Sequence, residues 1–210
     1  MRDLTKQLAA WLEGGGSEIG EVAIARKDGG FELFHRADLG RSDLRVESKP
    51  EAARTLANYD DAEKFRPLKT APNLRRGWKL CVADLGELRR ALDYFYPAML
   101  GICASHVRGE LTPVPLRETL ARQTGMYRVT QKISDEQAQS LVGAVCRSDG
   151  GCLKHILWPI APGLPIHTLP AEKLQAPTAA AAALPLLCHE ACNLLVAQAR
   201  ALVKKSEPTA

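Results

Sequence analysis

The chain has 210 residues, 46% of them hydrophobic and 25% charged, with a net charge of +4 and a pI near 8.8. That is the make-up of a globular soluble protein of one ordinary domain or two small ones. The longest apolar runs, near Ala98–Ala104 and Ala179–Leu187, fall well short of the roughly 20 residues of a membrane span, so no membrane association is expected.

The N-terminus carries Arg2, Asp3 and Lys6 and lacks the apolar core of a secretory signal, so a cytoplasmic location is expected. The charge is unevenly placed. Residues 1–72 hold 12 Lys/Arg against 13 Asp/Glu, and residues 73–210 hold 16 against 11. A mildly basic second part suits an anionic partner. It lacks the clustered basicity of a nucleic-acid domain, so no nucleic acid is expected.

In chain order, Asp3–Glu13 reads as a helix, with Leu4, Leu8, Trp11 and Leu12 on one face and Gly14–Gly16 ending it. Glu21–Arg26 and Phe31–His35 read as two strands around Lys27–Gly30, where Asp-Gly supplies the positive φ of a tight hairpin. Pro50–Asn58 is a short helix. Glu63–Trp78 reads as extended chain leading into a strand at Trp78–Val82.

Asp84–Glu87 has the spacing of a capped helix start, Leu85, Leu88, Leu92 and Phe95 continue one face, and Pro97 ends it. An apolar segment follows to Val107, and Pro115–Thr124 is a further short helix. Ser134–Gln137 is a capping box opening a helix that runs out near Cys146 and Arg147. Residues 159–185 hold six prolines and read as a connector. A last helix is expected over about Leu186–Lys204. The expectation is an α+β fold: a small helix and hairpin region over 1–72, and a mainly helical domain over 73–210.

Six cysteines in a reducing compartment point to metal or catalysis rather than disulfides. Cys188 and Cys192 are four apart on the expected last helix, a spacing that stacks two thiols on one side. Cys146 ends the preceding capped helix, and Cys152 follows a Ser-Asp-Gly-Gly turn able to curl back. Gly150 and Gly151 allow backbone N–H groups near an anionic centre, and Arg147, Lys154 and His155 lie beside it.

Four thiolates are the usual complement of a [4Fe–4S] cluster. A four-cysteine zinc site is the chemical rival, although zinc sites favour C-x₂₋₄-C knuckles and one pair here is C-x₅-C. The remaining two thiols, Cys81 beside Leu80 and Val82 and Cys103 beside Ile102, read as core filling, as do Trp78 and Trp158. His189 is expected to point away from the thiol face. Lys69, Arg75, Arg76, Arg117, Arg122, Arg128 and Lys132 could line a site for a multiply carboxylated ligand or form a solvated surface. No paired carboxylates, Ser/His/Asp order, Walker loop or G-x-G-x-x-G occurs, so no hydrolase, kinase or nicotinamide enzyme is indicated.

Arg66-Pro67-Leu68-Lys69-Thr70-Ala71-Pro72-Asn73-Leu74-Arg75-Arg76-Gly77-Trp78 and Ala91-Leu92-Asp93-Tyr94-Phe95-Tyr96-Pro97 are followed by Cys146-x₅-Cys152-Leu153-Lys154-x₃-Trp158 and Cys188-x₃-Cys192-Asn193. With these segments the chain resembles a small family of bacterial iron–sulfur proteins. There a short stabilising domain and a cluster-binding C-terminal domain are attached to a sirohydrochlorin cobaltochelatase-like domain.

The resemblance implies Cys146, Cys152, Cys188 and Cys192 as [4Fe–4S] ligands. It also implies a redox or electron-transfer module associated with cobalamin or sirohaem metabolism, whose partner is a tetrapyrrole-pathway protein or an anionic tetrapyrrole. The 210 residues have no room for a chelatase domain, so an accessory role is expected rather than cobalt insertion itself. A cluster-based sensor, and a structural module in which the cluster staples the fold, are the alternatives.

Overall fold

The computed structural model describes residues 4–60, 62–65, 74–123, 128, 130–146, 152–164 and 182–206. The α+β expectation holds. Among the described residues no helix is long and apolar enough to cross a membrane.

The first half is built on a six-stranded sheet in the order β4-β5-β3-β2-β1-β7. Its strands are β1 (Glu18–Ile19), β2 (Val22–Lys27), β3 (Gly30–His35), β4 (Arg45–Glu47), β5 (Trp78–Val82) and β7 (Ala183–Leu184). The β2–β3 hairpin pairs Lys27 with Gly30 across Asp28-Gly29, and Gly29 takes the φ of +83° that such a turn requires. Gly20 turns β1 into β2 at φ +59°, and any Cβ there would strike the Tyr96 ring.

Helices α1 (Leu4–Glu13), α2 (Ala52–Asn58), α3 (Leu85–Phe95) and α4 (Met99–Val107) share one core with this sheet. Leu8, Ile19, Val22, Leu33, Leu80, Leu88 and Phe95 are all buried in it. Each such side chain contributes about 1.5–3 kcal/mol through burial. Asp84 caps α3 by accepting from Glu87 N at 2.8 Å, while Glu87 Oε2 accepts from Ala83 N at 2.9 Å. The chain breaks at Pro97 and re-enters helix through Ala98 at φ +61°. The apolar segment after Pro97 is therefore α4.

Two buried carboxylates tie the segment before β5 to this body. Glu21 Oε2 accepts from Leu74 N at 3.0 Å, and Asp38 Oδ2 accepts from Gly77 N at 2.7 Å. In β5, Trp78, Leu80 and Val82 face inward while Cys81 is only half-buried. Cys81 thus lies on the opposite face from the core it was expected to fill, because strand side chains alternate.

The second core is formed by α5 (Leu116–Ala121), α6 (Asp135–Cys146) and α7 (Asn193–Ser206), together with Trp158 and Ile160. The capping box forms as expected, with Gln137 N donating to Ser134 Oγ at 3.1 Å and Ser134 N donating to Gln137 Oε1 at 2.8 Å. A short parallel pair, β6 (His155–Ile156) with β8 (Leu187–Cys188), lies between the halves.

The two cores part near residue 107, whereas the sequence reading sets its division at residue 72. The reason is β5, which is hydrogen-bonded between β3 and β4 and carries α3 and α4 into the first core with it. The segment 182–188 crosses between them. Ala183 and Leu184 extend the sheet by pairing with β1, Leu186 and Leu187 enter the first core, and Cys188 meets the second.

Candidate cofactor site

A cavity of about 90 Å³ opens between β6, β8, the end of α6 and the start of α7. Cys146, Cys152, Cys188 and Cys192 all line it. Each cysteine is placed by a different local device. Cys146 is the last residue of α6, whose Leu141 and Val142 are buried in the second core. Cys152 follows residues 147–151, so the expected Gly150–Gly151 turn and Arg147 lie outside the described residues.

Cys188 is in β8, paired with Ile156, and its carbonyl accepts from Leu157 N at 2.9 Å. Cys192 precedes α7, and its carbonyl accepts from Val196 N, the first turn of that helix.

The last pair corrects the sequence reading. The last helix begins at Asn193, not near Leu186, so Cys188 and Cys192 are not one turn apart on a helix. Backbone pairing of Leu187–Cys188 with His155–Ile156 competes with helix there and wins, and a bend at His189 and Glu190 brings Cys192 back to the cavity. The thiols still meet, by a different route. His189, at the bend, is among the residues that line the cavity.

Two N–H groups are aimed at thiol sulfurs. Trp158 Nε1 donates to Cys188 Sγ at 3.3 Å, and Lys154 N donates to Cys152 Sγ at 3.5 Å. As a thiol, Cys188 donates in turn to Glu190 O at 3.1 Å. Burial pushes the Cys188 thiol above its ordinary pKa, while the Trp158 N–H and the Lys154 ammonium oppose that shift. Trp158, read from sequence as core, is buried in the second core and also touches the site.

The donor set fits a cluster. Four thiols line one cavity, with N–H donors directed at two of the sulfurs, as suits the thiolate ligation of such a cluster.

The other candidates do not join them. Cys103 is buried, donates to Pro185 O at 3.2 Å, and is pushed up to about 12 by burial. Arg75 pairs with Glu63, Arg117 with Asp135, and Arg122 with Glu118 and Glu190. These arginines serve intramolecular pairs rather than one shared anion site. Lys69 lies outside the described residues.

Fold and cavity together define a class: an α+β protein with a cysteine-lined cofactor pocket in its second core. Residues 108–201 match the 4Fe-4S iron-sulfur cluster binding domain family, and residues 4–107 match the DR2241 stabilising domain family. The chain belongs to this family of [4Fe–4S] proteins with a stabilising domain ahead of the cluster domain, and its cofactor is a [4Fe–4S] cluster. The two matches meet where the two cores part.

The chain is also similar to the crystal structure of DR2241 from Deinococcus radiodurans. That protein is described as multi-domain, with structural similarity to chelatases and two additional novel domains. The TM-score is 0.76 at 30% identity, over 95% of this chain and 41% of that one. The chain thus spans about two fifths of that relative's length. No curated protein matches it.

Proposed function

We propose that Cys146, Cys152, Cys188 and Cys192 are the cluster ligands and that the protein carries single electrons to a partner in tetrapyrrole metabolism. The observation that supports the ligand set is the convergence of these four thiols, from four separate backbone settings, on one cavity. A bound [4Fe–4S] cluster supplies one-electron chemistry at a potential tuned by charge, hydrogen bonds and exposure. The chain's own residues hold and shield it. Ile156, Trp158 and Leu195 form apolar wall, and Lys154 brings a cation to the lining.

Four thiol ligands leave no iron open to a substrate, which favours electron carriage over Lewis-acid catalysis. The tetrapyrrole connection is supported by the chelatase similarity described for the Deinococcus relative. The test is stopped-flow mixing of the reduced protein with a cobalt corrinoid or a purified chelatase. Re-oxidation at a rate that rises with acceptor concentration is expected. A protein that cannot be reduced at physiological potentials, or that keeps its electron in their presence, excludes the role.

The 182–192 segment favours a structural reading as the second possibility. It runs from a sheet edge through the first core to two of the proposed ligands, so metal binding there adds to folding free energy. Under that reading the cluster-free protein has no cooperative melt and the loaded protein has no redox partner.

A further inference from the structure

The geometry points to Trp158 as a residue that sets the reduction potential of the cluster by acting through Cys188. This rests on the reading above that Cys188 is a ligand. Trp158 Nε1 is a donor with no acceptor capacity, and it lies 3.3 Å from Cys188 Sγ.

Both partners are held by backbone on either side. Leu157 N donates to Cys188 O at 2.9 Å, Ile156 pairs with Cys188, and Leu116 N donates to Pro159 O at 2.9 Å. The indole is 2% exposed, so water does not compete for the sulfur from its side. A donor fixed in a low-dielectric setting interacts more strongly with a sulfur as that sulfur gains negative charge. The Trp158 N–H therefore favours the reduced form over the oxidised form and raises the potential. The electron comes from an external donor, and the indole proton stays on its nitrogen throughout.

A purely space-filling Trp158 predicts none of this, and the two roles separate experimentally. The test is the midpoint potential of anaerobically loaded Trp158→Phe protein, with Val196→Ala as a control in the same core. Val196 is 1% exposed and α7-borne, so its truncation loosens the core without removing the N–H. We expect Trp158→Phe to change the reduced-to-oxidised ratio at fixed potential by about tenfold toward oxidised, or about 59 mV for a one-electron couple. Val196→Ala is expected to leave the ratio as in the parent.

Replacing Trp158 with benzothienylalanine, which exchanges the N–H for sulfur at nearly constant volume, should reproduce the shift without the cavity. If neither variant takes up the cluster, the parent protein with ¹⁵N-indole tryptophan decides. A hyperfine coupling from an indole nitrogen in the reduced state supports the inference, and its absence overturns it. Full iron and sulfide content with an unchanged potential in either Trp158 variant also overturns it, while leaving the ligand reading intact. Full iron and sulfide content with the parent potential in Cys188→Ala overturns the ligand reading itself.

Discussion

Leu187 touches both halves of the molecule, and its truncation should uncouple them. It is 1% exposed in the first core, lines the cavity beside Cys188, and donates its N–H to Met99 Sδ at 3.1 Å. Leu187→Ala removes three buried carbons, worth about 2.4 kcal/mol of transfer free energy at about 0.8 kcal/mol per methylene. The cavity left behind brings the cost to about 2–5 kcal/mol. For a chain of this size each kcal/mol lowers Tm by about 2–4 °C, so a fall of roughly 4–20 °C is expected.

Leu56→Ala is the control. Leu56 is buried in the same core, on α2, and does not line the cavity. Both variants should lose stability by comparable amounts, but only Leu187→Ala should release iron faster. The assay is a thermal melt paired with the decay of visible absorbance in the presence of an iron chelator. Equal release rates from the two variants, at equal stability loss, would refute the idea that β8 transmits packing in the first core to the cofactor site.

Burial holds the Cys103 thiol at about 12, well above its ordinary value, so it stays protonated near pH 8. Because the thiolate is the nucleophile, Cys103 should resist alkylation in the native protein at that pH and react only on unfolding. Peptide mapping after labelling checks this, and ready native labelling would contradict it. Ser134→Ala removes the acceptor for Gln137 N at the start of α6. It should cost about 0.5–2 kcal/mol, read by denaturant unfolding, and Gln137→Ala should cost part of the same amount because the bonds are reciprocal.

Local signals in the sequence carried many of the individual elements. The capping residues Asp84 and Ser134 start α3 and α6 where expected, Asp28-Gly29 makes the hairpin, and β5 spans Trp78–Val82. These features depend on neighbours within a few positions. What was not legible depends on pairing across long separations. β7 joins β1 over more than 160 residues, and β8 joins β6 over about 30.

That non-local pairing takes Leu187 and Cys188 out of a stretch whose apolar spacing suits a helix. It also joins β5 to β3, which carries the first core past residue 72. That Cys146, Cys152, Cys188 and Cys192 come to one cavity was legible because thiol chemistry limits what such residues do together, whichever backbone presents them. The Trp158 contact was not, since a donor in a core is indistinguishable from filler until its acceptor is placed.

Anaerobic iron and sulfide analysis of single-cysteine variants decides whether Cys146, Cys152, Cys188 and Cys192 hold one cluster. The parent protein, Cys81→Ala and Cys103→Ala are each expected to contain close to four irons and four sulfides per chain, with an EPR signal on reduction. Cys146→Ala, Cys152→Ala, Cys188→Ala and Cys192→Ala are each expected to lose most of both. A colourless parent holding a single zinc, or full clusters in any of those four variants, would rule out this ligand set.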